Sequence, residues 1–209
     1  SFDDYPGVKA IKLRFDGSNT LVNVRDTSGD VFRIAFYASV SKGFGWTYNK
    51  DVYNRTIQKR YNSTLGVLNI DISSDNLVVE IYLNPNITEY IELRVLNGVV
   101  NIEMFYLYNT SFNLSLVNGI LSVELEYLSV VEAIWNIHIN NGIGTVNVVT
   151  PSTLDISTFL KVVNGYIEAE LYGVSYVVTG GDRDISGSGS YKLSCVLDNG
   201  TSIIRFKSR

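Results

Sequence analysis

The chain has 209 residues, of which 45% are apolar and 18% charged, with a formal net charge of −4. So large an apolar share excludes a disordered polymer, and Lys and Arg scattered without a cluster exclude a nucleic-acid footprint. A lone cysteine, Cys195, excludes an intrachain disulfide, and with a lone histidine, His138, it leaves a zinc site short of ligands.

In chain order, residues 1–7 are polar and turn-like, and a start at Ser1 rather than Met suggests a removed leader. Ile11, Leu13 and Phe15 alternate with Lys12 and Arg14, which predicts a strand. Val8 and Ala10 sit in the opposite phase, so either a bulge lies near Ala10 or the strand begins at Ile11. Asp16 to Thr20 reads as a flexible spacer. Residues 1–16 are thus expected to be an N-terminal arm and 17–209 an all-β body. Strand-like runs follow at 21–25, 31–40, 67–72, 77–83, 91–96 and 99–106, then at 112–117, 120–127, 133–140 and 146–149. The last are at 160–163, 166–171, 175–179, 191–197 and 202–207.

One rhythm recurs within these runs. After Gly66, Gly98, Gly119, Gly142 and Gly165 come six residues whose second, fourth and sixth members are apolar, with Gly144 the exception. Asn97, Asn118, Asn141 and Asn164 precede four of these glycines. Asn-Gly between alternating runs is a hairpin signal, because both residues accept positive φ. The expected fold is all-β: an immunoglobulin-like or pilin-like β-sandwich, single or paired, with an extended N-terminal strand. The alternative is a β-solenoid with a coil of about 22 residues and its asparagines stacked in a ladder.

Asn-x-Ser/Thr occurs at Asn54, Asn62, Asn86, Asn109, Asn113 and Asn199. Most fall in polar stretches expected to be loops or strand edges, where a glycan disturbs no core. They point to an extracellular, cell-surface protein carrying covalent N-glycans and no other cofactor. Period two puts Cys195 on the inward face with Leu193 and Leu197, as a structural thiol, and His138 on the wet face. Glu124/Glu126 and Glu168/Glu170 take the polar phase of the repeat, which reads as a wet sheet face rather than a glycosidase pair. Asp182-Arg183-Asp184 beside a Ser/Gly run reads as a flexible loop rather than a calcium site. No catalytic or metal-ligating set is expected, and no apolar run is long enough to span a bilayer as a helix.

The short apolar arm, the flexible spacer, the cysteine-poor all-β body and the sequons together resemble the subunit of the archaeal thread, a glycosylated surface filament. The Gly-apolar-x-apolar units after Gly66 to Gly165 also resemble toast-rack adhesin domains. In the thread family a strand from one subunit completes the sandwich of the next. The resemblance therefore implies donor-strand residues Val8, Ile11, Leu13 and Phe15, with copies of the chain as partners in a head-to-tail polymer serving adhesion or cell–cell contact. The alternative function is a monomeric adhesin-like module that binds glycan or protein through tyrosines such as Tyr48, Tyr53 and Tyr61.

Overall fold

The computed structural model describes residues 7–27, 33–38, 57–86, 88–187 and 189–209. The strands are β1 (Ala10–Phe15), β2 (Thr20–Asp26), β3 (Arg33–Ala38), β4 (Ile57–Asn62), β5 (Val67–Ile72), β6 (Leu77–Leu83) and β7 (Tyr90–Tyr108). They continue as β8 (Ser111–Ser129), β9 (Ala133–Thr150), β10 (Ile156–Leu171), β11 (Val174–Val178), β12 (Gly181–Ile185) and β13 (Tyr191–Ser208). All belong to one 13-stranded sheet. The all-β class expected from the sequence is the class observed.

The long strands run straight through the Asn-Gly pairs. β7, β8, β9, β13 and β10 lie side by side, all parallel, with Asn97, Asn118, Asn141, Asn199 and Asn164 in one register row. Asn-Gly is therefore a corner inside a strand and not a hairpin turn, which corrects the reading of those pairs. Immunoglobulin-like sheets pair antiparallel, whereas these registers are those of the solenoid alternative.

The bend follows from the sequence pattern. In β7 the buried residues are Ile91, Leu93 and Val95 before the corner, then Val100, Ile102 and Met104 after it, with Leu107 following a register shift. The inward phase switches from odd to even, so a strand folded at Asn97-Gly98 turns both halves toward one core. Contacts across the core bear this out. Trp135, before the β9 corner, meets Phe206, after the β13 corner, edge-on at 5.0 Å. Gly144, the exception in the repeat, lies against Ile139: a Cβ there would sit 2.4 Å from the Ile139 Cδ1. A small residue after the corner makes room for a large one before it.

Shorter strands make the remaining coils. β1 and β2 form one coil, with β1 parallel to β5 and β7 and β2 parallel to β6 and β7. β5 and β6 form the next coil outward. Antiparallel strands close both ends: β4 on β5 and β3 on β6 at one, β11 and β12 on β10 at the other. Such caps cover the open edges that a parallel stack leaves.

The strand that carries the expected donor residues lies within its own sheet. β1 is paired on both sides by its own chain, and Val8, Ile11, Leu13 and Phe15 are 3%, 1%, 3% and 1% exposed. Their apolar faces and backbone groups are already used within the molecule. The boundary expected after residue 16 falls at the corner between β1 and β2, inside one coil. The bulge near Ala10 is present: the N–H groups of Lys9 and Ala10 both donate to the Gly66 carbonyl, at 2.9 and 3.1 Å. It lets Val8 and Ile11, of opposite phase, share the core.

Candidate functional site

Two surfaces are built by the repeat: the Asn-Gly corner and the outward rows on the flat faces. At the corner, asparagine amides bond coil to coil. Asn118 Nδ2 donates to Asn97 Oδ1 at 2.7 Å, Asn141 to Asn118 at 3.0 Å and Asn199 to Asn141 at 3.1 Å. Asn19 donates to Asn76 at 3.1 Å, so the shorter coils carry their own rung. Each glycine that follows is pressed on its neighbour. A Cβ on Gly119 would lie 1.8 Å from the Gly98 carbonyl oxygen, and one on Gly142 would lie 2.1 Å from that of Gly119. Only glycine fits there. Beside the ladder, Ile120, Ile143 and Tyr166 form an exposed apolar row on the same register line, with Thr201 between the last two.

The second surface is a groove of about 520 Å³ on the outer face of the half-strands that precede the corner. It crosses β9, β13, β10 and β12. One register row supplies Asn136, Ser194, Phe159 and Asp184, each beside the next. The row below supplies Ile134, Lys192 and Ser157. Phe159 and Ile134 are half-buried, and Asn136, Asp184 and Lys192 are exposed. Within the described residues no hydrogen bond or ion pair occupies the Asn136, Ser157, Ser194, Asp184 or Lys192 side chains.

The sequence-predicted glycan acceptors scatter over the molecule. Asn62, Asn86, Asn109 and Asn199 are exposed and Asn113 is half-buried on an outward phase, while Asn54 lies outside the described residues. Asn62, Asn109 and Asn199 also bond within the chain: Asn62 Oδ1 accepts the Leu65 N–H at 3.1 Å, Asn109 Oδ1 accepts the Val131 N–H at 2.6 Å, and Asn199 belongs to the corner ladder. Tyr48 and Tyr53 likewise lie outside the described residues; Tyr61 packs partly buried against the core.

Among the described residues, the other titratable groups singled out in the sequence are on the outer faces or sealed inside. His138 is exposed, with Nε2 3.2 Å from Asp198 Oδ2. Arg205 lies between Glu168 and Glu170, at 4.0 and 3.9 Å, and Arg209 pairs with Glu126. Asp182 and Asp184 are not in a loop: they extend along β12, and the Arg183 between them sits 4.9 Å over the Tyr176 ring. Cys195 is buried, its Sγ 3.7 Å from Ser202 Oγ, and burial pushes its pKa up to about 12. Such a thiol stays protonated and unreactive at neutral pH.

The groove was hard to foresee. Phe159, Ser194 and Asn136 are far apart in sequence, and only the parallel register, with the last strand inserted between β9 and β10, makes them neighbours. The available signal was a large aromatic, Phe159, on the polar phase of its strand.

No protein-family model matches the chain, and no curated protein matches it in sequence. Among solved structures, a candidate cell adhesion protein of Clostridium sporogenes is similar over 100% of this chain and 98% of its own. The identity is 14% and the TM-score 0.57. At that identity the likeness establishes a shared fold. A candidate adhesin of Bacteroides fragilis aligns over 98% of this chain and 96% of its own, at 10% identity, with a TM-score of 0.34 that carries no argument. The thread-subunit resemblance gains no support from either.

Proposed function

We propose that the chain is an adhesion module displayed outside the cell, a rigid capped solenoid whose outward rows meet other surfaces. The observation that carries this reading is the end-to-end likeness to a candidate cell adhesion protein, which leaves no large segment of either fold unmatched. Sequons on exposed positions such as Asn62, Asn86 and Asn109 support the extracellular side of it. So does the construction: stacked parallel coils, several of them bonded at the corner by asparagine amides, hold surface side chains at fixed spacing, which limits the ordering cost on binding.

The reading favours a self-contained module over a donor-strand filament. Polymerising through residues 8–15 requires β1 to leave the slot between β5 and β7 and re-enter the same slot in a neighbour. The test separates the two. Beads coated with the purified chain are washed over a panel of cell surfaces and matrix glycoproteins, and the same material is sedimented. Adhesion predicts selective retention over bare beads and a monomer at micromolar concentration. Retention equal to bare beads on every surface contradicts it, and head-to-tail polymers blocked by an added peptide of residues 7–16 would restore the filament.

A further inference from the structure

We infer that the groove centred on Phe159 is a binding site for a neutral saccharide unit; this rests on the adhesion reading and specifies what the module grips. The groove lies on a sheet face, where the backbone groups of β9, β13 and β10 are already bonded to neighbours on both sides. A peptide docking as an added strand needs a free edge; the one that borders the groove is the outer edge of β12, where an added strand would lie beside the groove and not in it. Asp184 opposes an anionic ligand and Lys192 a cationic one. A wholly apolar ligand would strip water from Ser157, Ser194, Asn136 and Asp184 and return no hydrogen bonds.

What remains is a neutral molecule with an apolar face and a rim of groups that both donate and accept. A pyranose has that anatomy. Its C–H face can lie on the half-buried Phe159 ring. Its hydroxyls can reach the Ser194 and Asp184 side chains that flank Phe159 in the row, and Asn136, Ser157 and Lys192 around it. The inventory covers both hydrogen-bond senses: carboxylate accepts, ammonium donates, amide and hydroxyls do both. Four adjacent strands at spacings of about 4.8 Å make a row about 14 Å across. The groove's volume of about 520 Å³ is in the range of clefts that hold small ligands.

One end of the groove is held in place by a close approach. Ser186 lines the groove, and the next residue, Gly187, lies on the β10 backbone. A Cβ on Gly187 would fall 2.4 Å from the Ser157 nitrogen and 2.5 Å from the Ile156 carbonyl carbon. The chain leaving β12 is thereby pinned against the start of β10, and the wall is built before any ligand arrives.

The test uses the full chain with a panel of neutral probes: methyl glucoside, galactoside and mannoside, N-acetylglucosamine oligomers, and linear gluco- and manno-oligosaccharides. Saturation-transfer NMR detects binding and calorimetry measures affinity. At least one probe is expected to bind, with Phe159→Ala weakening it about tenfold and Ser194→Trp, which fills the groove from an outward position, abolishing it. Tyr166→Ala, on the corner, leaves affinity unchanged. Circular dichroism verifies that each variant keeps the fold. The inference is overturned if no neutral probe binds, if only sulfated or sialylated glycans bind, or if binding survives both groove variants. Bead retention that persists in Phe159→Ala and Ser194→Trp would discard the groove while leaving the adhesion reading intact.

Discussion

At the Asn-Gly corner the long coils present the same two residues, whereas at the opposite edge residues 109–110, 130–132 and 151–155 join them with unlike sequences and lengths. The corner admits one solution because the neighbouring coil's carbonyl stands where a Cβ would be. The opposite edge is held by individual contacts. Tyr127 OH donates to the Thr110 carbonyl at 2.6 Å and accepts the Trp135 indole N–H at 3.0 Å, while Asn109 bonds the Val131 backbone. Register is therefore set unevenly around the coil. A repeated residue pair fixes it at one corner, and the other edge absorbs the variation in coil length.

Breaking the corner should have the largest effect. Gly142 has no positive φ, so Gly142→Ala tests the close approach alone. Because the obstructing atom is backbone and cannot rotate away, the expected loss is about 4 kcal/mol or failure to fold, read from urea unfolding. Next comes the opposite edge. Tyr127→Phe keeps the ring but leaves the Trp135 N–H and the Thr110 carbonyl buried without their partner, and should cost about 2–3 kcal/mol. A rung of the ladder is worth less. Asn141→Ala removes two amide bonds at an exposed position, and a loss of about 1 kcal/mol is expected in the same measurement. If Asn141→Ala proved as damaging as Gly142→Ala, the amides rather than the close approach would be setting the register.

The smallest effect concerns pH, and it reports on the core that both edges enclose. Burial raises the pKa of Cys195 from 9.0 to about 12, and burial also raises that of Tyr127. A group that holds its proton more tightly when folded contributes stability that is present below its unfolded pKa and lost as pH rises through the folded one. The melting temperature should therefore decline from about pH 9 upward, and Cys195→Ala should flatten the first part of that decline. An unchanged slope would mean that this thiol is not sealed from solvent.

Much of the architecture was legible in the chain. Alternation located most of the strands, the inward phase named Cys195 and Leu197 as core, and the bulge near Ala10 followed from the clash of phases between Val8 and Ile11. Asn-Gly misled because one dipeptide serves two purposes. In a hairpin its value is positive φ; here the asparagine is chosen for its amide and the glycine for its missing Cβ. The repeat spacings of 21 and 23 residues between Gly98, Gly119 and Gly142 carried the right answer, since a hairpin has no reason to return its turn every coil. The coil order was not legible. β1 and β13 each slot between coils that are neighbours in sequence, and nothing local to 10–15 or 191–208 encodes that insertion. For the same reason Val8, Ile11, Leu13 and Phe15 looked detachable, and the Phe159 groove had no linear signature.

The parallel register can be tested by oxidising paired cysteines. In the coil arrangement Ser122 lies beside Thr145 on the outer face, and Ser115 beside His138. Were Asn118-Gly119 a hairpin turn, Ser115 and Ser122 would be cross-strand partners instead. The native Cys195 is buried and does not interfere. Nonreducing mass spectrometry of the two double variants decides. A disulfide is expected in Ser122→Cys/Thr145→Cys and none in Ser115→Cys/Ser122→Cys, and the reverse outcome would contradict the coil arrangement.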